Sequence, residues 1–195
     1  MKEFYMNEIQ IKERAKEIMN QQMGNLIMAF IIYGLVSSGI STLTFGMAWI
    51  FIYGPLSLGA ANILLKADKG ESFAFEEVLS GFRDFGKALL AGVLTSLYIF
   101  LWSLLLFIPG IVAALSYSMT FFIMSENPQL SAEQAIEASK RMMVGHKTEL
   151  FSLIISFIGW WILCIISMGI AAIYVAPYFH CSLTVFYQNL KYTQK

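Results

Sequence analysis

The sequence predicts an all-α polytopic membrane protein: six transmembrane helices arranged as three hairpins, joined by amphipathic interfacial helices. Three observations predict it. The 195-residue chain is 57% hydrophobic and 13% charged, against about 25% charged in a soluble domain. Its charges fall in four clusters, at 2–17, 66–87, 126–149 and 191–195, so that 18–65, 88–125 and 150–190 contain no Asp, Glu, Lys or Arg. Each gap is about twice the roughly 20 residues that cross a hydrocarbon core, and each is interrupted near its middle.

The interruptions are Ser37-Ser38-Gly39-Ile40-Ser41, Ile108-Pro109-Gly110 and Ser167-Met168-Gly169. Gly and Pro end helices, and Pro suits the first turn of the next one. Backbone groups in lipid must be satisfied within their own segment, which requires helices. Six spans follow, at 22–38, 43–66, 86–107, 109–125, 149–167 and 170–190. The hairpins occupy 22–66, 86–125 and 149–190 of a single membrane domain, 1–195. A segment at 1–21 and loops at 67–85 and 126–148 lie on one side. An even number of spans puts both ends of the domain on that side, and the thirteen Lys and Arg mark it as cytoplasmic. The start of the chain mixes acids and bases and does not read as a secretory signal.

The charged segments carry helical signals of their own. Asn7 caps a helix whose face is Ile11, Ala15, Ile18 and Met19. A short piece runs from Phe73 to Ser80 and stops at Gly81. In 131–145, Ser131 and Gln134 form a capping box, Gly145 is a stop, and Ala132, Ala135, Ile136, Met142 and Met143 line one face. Glu133, Glu137, Lys140 and Arg141 form the other. Such helices lie in a membrane interface or cover the end of a bundle. Ile136, Met142, Met143, Lys140 and Arg141 are therefore the candidate partner-binding face. Trp49, Trp102, Trp160 and Trp161 fall toward the uncharged ends of their spans, where they suit an aromatic belt or helix packing. Gly-Ile recurs at Gly39, Gly110 and Gly169, a weak threefold repeat.

Chemistry is sparse. Zero net charge gives no basic excess for nucleic acid. No nucleotide loop, zinc motif, nucleophile elbow or cysteine cluster occurs, so the chain is expected to be non-enzymatic and to hold no cofactor or metal. Ion-coupled transport usually uses intramembrane carboxylates or bases, and the gaps have none. His146 reads as an interfacial anchor. His180, with Pro177 nearby, falls about midway along the sixth span, while Pro55 and Asn62 mark a kink and a polar group in the second. These four residues form the candidate intramembrane polar or cavity site.

Several stretches add a resemblance. Gly54-Pro55-Leu56-Ser57-Leu58-Gly59, Gly81-Phe82, Phe85-Gly86, Ile108-Pro109-Gly110-Ile111 and Tyr117-Ser118-Met119 come first. Ser125-Glu126-Asn127-Pro128, Gly145-His146-Lys147, Phe157-Ile158-Gly159-Trp160, Pro177-Tyr178 and Phe186-Tyr187 follow. In order and spacing they resemble an uncharacterised bacterial membrane family, domain-of-unknown-function family 975. The resemblance covers nearly the whole chain from about residue 24. It implies a bacterial cytoplasmic membrane protein, and a more distant likeness to membrane domains of some glycerophosphodiester phosphodiesterases. It supplies no catalytic residues. The expected partners are membrane lipids or another membrane protein, in an accessory or envelope-integrity role. The alternative is a small transporter or flippase for an uncharged or amphiphilic molecule.

Overall fold

A computed structural model describes residues 6–43, 49–105 and 107–193. Within them the chain is all-helical, and no strand is present among the described residues. Ten α-helices occur: α1 Glu8–Gln21, α2 Met23–Leu43, α3 Trp49–Asp68, α4 Phe85–Leu105, α5 Phe107–Tyr117, α6 Thr120–Glu126, α7 Ala132–Met142, α8 Lys147–Ile155, α9 Ile158–Ile166 and α10 Ala172–Thr193. A 3-10 helix, Phe75–Phe82, lies between α3 and α4.

Among the described residues three stretches are long and apolar enough to cross a membrane: Phe85–Leu104, Ile108–Glu126 and Lys147–Ile166. Met23–Ser38 is a shorter apolar stretch among them, and α10 is not one of the three. Packing gives a physical reason. Only 22% of the Phe85–Leu104 and Lys147–Ile166 windows is buried in protein, so their side chains face outward. Central helices such as α10 bury Ser182, Thr184 and Asn189 among protein neighbours and tolerate a more polar composition.

Pro109 sits in the first turn of α5, as expected of a residue whose missing N–H is no loss there. At the third turn, Met168 (φ 52°) and Gly169 (φ +91°) are left-handed, and the Gly169 N–H returns to the Cys164 carbonyl at 2.8 Å. The expected break at 37–41 is corrected. α2 continues to Leu43, because Ser37 and Ser38 bond back to the Gly34 carbonyl and stay within the helix. The segment 44–48 lies outside the described residues. This removes Gly39 from a turn, and with it one leg of the threefold repeat.

Each of the last two apolar stretches before α10 is instead broken partway along. α5 ends at Tyr117 and α6 begins at Thr120. Ser116, Ser118 and Thr120 donate to carbonyls of the preceding turn, and Ser139 of α7 bridges the gap. Its Oγ donates to the Ser116 carbonyl at 2.8 Å and accepts the Met119 N–H at 3.2 Å. The second break separates α8 from α9 at Ser156–Phe157. There Lys12 of α1 donates to the Ser156 carbonyl at 3.1 Å and lies over the Phe157 ring. Ser139→Ala would leave the Met119 N–H and Ser116 carbonyl without their bridge. An expected loss of about 1–3 kcal/mol follows from stranding buried polar groups, read as a lower unfolding midpoint in detergent. An unchanged midpoint would show that the bridge contributes nothing.

The amphipathic helices are structural parts of the bundle. α1 has the Asn7–Gln10 capping box and buries Ile11, Ala15, Ile18 and Met19 against α10. α7 has the Ser131–Gln134 box and packs on α4, α5 and α6. Close glycine approaches fix the rest. A Cβ at Gly59 would strike the Val78 carbonyl, and one at Gly81 would strike the Pro55 carbonyl, so the 3-10 helix presses directly on the α3 backbone. Gly54 meets Ala88 and Gly92 of α4 in the same way. The apolar core forms around α1, α3, α6 and α10, with Phe122 stacked on Tyr187 at 5.3 Å.

Candidate functional site

The expected cavity group does not assemble. Pro177 is buried inside α10. Pro55 lies inside α3, its carbonyl against Gly81. The His180 ring packs against Phe30 (centroids 5.0 Å) and Phe179 (5.9 Å), so its described neighbours are aromatic. Two residues away, the Tyr178 hydroxyl reaches the Lys12 carbonyl of α1 at 3.5 Å.

Asn62 belongs elsewhere. Its Nδ2 donates to Ser80 Oγ of the 3-10 helix at 2.9 Å, and its Oδ1 accepts from Ser125 of α6. These groups line an open cleft of about 910 Å³ at the charged end of the bundle. Two ion pairs brace it. Lys66, one turn after Asn62, pairs with Glu77. Lys191 pairs with Glu126 at 2.7 Å, and Glu126 also accepts the Tyr187 hydroxyl at 2.7 Å. The Lys66 ammonium holds the Glu77 carboxyl below the ordinary carboxylate range, with the Ala74 N–H adding to it against desolvation. Nearby, burial raises Asp68 despite Arg14 and Lys69.

Five cationic side chains line the cleft: Lys66, Lys69, Arg83, Arg141 and Lys191. Its carboxylates are Glu71, Glu77 and Glu126. With Glu77 and Glu126 engaged in those pairs, Lys69 and Arg83 stay outside them: Lys69 lies within electrostatic reach of Asp68 and Glu126, and Arg83 of Glu77. Arg141 has its own partner in Glu137 at 3.2 Å, on the exposed face of α7.

The α7 face is partly as expected. Ile136 is buried against Ala113 and Tyr117, and Met143 is completely covered. Met142 is half-buried and lines the cleft, while Lys140 is exposed on the other side near Trp102 and Pro109. The buried stripe takes in Ser139, which the apolar pattern had omitted. His146 bonds Glu149 at 2.8 Å, as suits an anchor at a helix start. Trp160 and Trp161 pack on Tyr178 and Phe179 of α10, and each stays partly exposed. Trp102 is exposed; the side chain of Trp49 lies outside the described residues.

Sequence reasoning missed Lys66, Lys69, Arg83, Glu126, Tyr187 and Lys191 as one site. A signal existed: Asn62, Lys66 and Lys69 follow helical spacing, as do Tyr187 and Lys191. Among the described residues no cluster of His, Cys, Asp and Glu is arranged to hold a metal.

Residues 6–116 and 104–194 match a family described as a protein of unknown function (DUF975). No curated protein and no solved structure matches the chain. The likeness to glycerophosphodiester phosphodiesterase membrane domains is not among these matches.

Proposed function

Because the chain belongs to the DUF975 family, whose function is unknown, we propose a reading that rests on its physical form: a six-span protein of the bacterial cytoplasmic membrane, with the charged end in the cytoplasm. It works without catalysis, through contacts with lipid or with a membrane-embedded partner. The outward faces of Phe85–Leu104 and Lys147–Ile166 carry this reading, since a protein exposing Phe100, Leu104, Ile108, Ile158, Ile165 and Ile170 together needs an apolar phase around it. In this reading α2, α3 and α10 complete the six spans, shielded by their neighbours. The orientation follows from the Lys and Arg in the segments between hairpins. Transport is the alternative, and the open cleft is the observation in its favour. Against it, the cleft ends on Leu65 and Ile123, and the packed core lies beneath.

Topology tests the reading. In a background carrying Cys164→Ala and Cys181→Ala, a cysteine introduced by Glu76→Cys or Glu133→Cys is expected to react with a membrane-impermeant thiol reagent only after the cells are opened. One introduced by Ser41→Cys is expected to react in intact cells. Labelling of Glu133→Cys from outside would reverse the orientation, and recovery of the protein in the soluble fraction would end the reading.

A further inference from the structure

We propose that the charged-end cleft binds a phosphate monoester dianion. The inference builds on the membrane reading above and adds a ligand class. Its basis is the convergence of cations from separate elements on one polar floor. Lys66 comes from α3, Lys69 from the turn after it, Arg83 from the end of the 3-10 helix, Arg141 from α7 and Lys191 from α10. The floor beneath them offers Asn62, Ser80, Ser125 and Tyr187, already ordered by hydrogen bonds to one another or to Glu126.

Charge sets the ligand's sign and size. Lys66 and Lys191 are paired with Glu77 and Glu126, which fixes their positions, and Arg141 is paired with Glu137; Lys69 and Arg83 are left as the groups that meet an incoming anion. The lining carries two more cations than carboxylates. A phosphate monoester carries about −1.5 to −2 charges near neutral pH and three strong acceptor oxygens, a match for that excess. Arg83 supplies the planar donor fork that suits phosphate oxygens, and Lys69 a mobile point charge. A cation would meet the opposite field, and an uncharged molecule would gain nothing from it. At about 910 Å³ the cleft has room for a phosphate with an attached headgroup-sized moiety.

The same chemistry is presented by phosphatidic acid in the membrane and by free phosphate. Full-length protein purified in an uncharged detergent distinguishes them, with fluorescent short-chain phosphatidic acid and inorganic phosphate as probes and short-chain phosphatidylcholine as the zwitterionic control. The phosphatidic acid probe is expected to bind, with affinity falling as salt rises. Arg83→Gln with Lys69→Gln is expected to weaken binding at least about tenfold, as loss of charge-assisted contacts implies. Lys16→Gln with Lys140→Gln, which removes two exposed cations elsewhere, is expected to change it less than about twofold. Competition by millimolar phosphate assigns the site to soluble phosphates; its absence assigns it to the lipid headgroup. Failure of both anionic probes to bind, equal binding of phosphatidylcholine, or equal losses in the two double variants would overturn the proposal. If the probes fail while the cysteine labelling is as expected, the ligand assignment alone falls. Soluble protein or reversed labelling would fall on the membrane reading instead.

Discussion

Gly59→Val is expected to abolish recovery of folded protein, while Gly34→Ala leaves yield unchanged and raises the unfolding midpoint slightly. The two glycines look alike in the sequence, each in the interior of a long helix. Their surroundings differ. A Cβ at Gly34 meets nothing within 4 Å, whereas one at Gly59 overlaps the carbonyl of Val78. That neighbour is backbone, and it belongs to the 3-10 helix whose Gly81 presses back on Pro55. Neither side can yield by a rotamer change. The penalty therefore exceeds the roughly 1–3 kcal/mol of ordinary overpacking. At Gly34 the substitution instead removes up to about 1 kcal/mol of helix-interior glycine penalty. Size-exclusion profiles after detergent extraction would check both. A monodisperse Gly59→Val protein with a wild-type midpoint would mean that α3 and the 3-10 helix do not meet as described.

Met143→Glu is expected to lower the amount of folded protein severely, and Lys140→Glu to change it little. Met143 is fully covered and sits in the main core. A carboxylate there loses hydration without gaining a described partner, a cost of about 3 kcal/mol or more even after the group neutralises itself. Lys140 points away from that core, so its reversal is worth about 0.5 kcal/mol. Met142 is the wrong residue for this contrast, because it is half-buried at the edge of the cleft. Quantifying each variant in the membrane fraction at equal expression would decide the matter. Equal losses would show that α7 is docked by another face.

Much of the fold was legible because its signals are local. The charge-free gaps located the helices, Pro109 and Gly169 located two turns, and Asn7 and Ser131 located the caps of α1 and α7. The extra breaks at Ser118–Met119 and Ser156–Phe157 were not legible, since neither contains Pro or Gly. They persist because hydroxyls and Lys12, from elsewhere in the chain, take up the freed backbone groups. Membership of α1 and α7 in the bundle was hidden for a related reason: an amphipathic face reads the same whether lipid or protein covers it. The cleft was the least legible part. Its residues come from separate segments, drawn together by the hydrogen bonds of Asn62 and Glu126 and by the Lys66–Glu77 pair. Treating Asn62 as part of an intramembrane group with His180 placed it by its helix and ignored its closeness to Lys66.

The pairing of α1 with α10 bears on the order in which the chain is made. Lys12 and Ser156 are 144 residues apart, and Lys12 and Tyr178 are 166 apart. Closing so long a loop adds little entropy cost beyond closing a moderate one, since the cost grows only as the logarithm of length, but it has to happen late. α1 leaves the ribosome well before α10 and waits for it. Throughout that interval Ile11, Ala15, Ile18 and Met19 lack the α10 surface that covers most of their face. In the membrane reading, the bilayer surface is the apolar phase within reach, and α1 is expected to rest there during biogenesis before it leaves for its place beside α10.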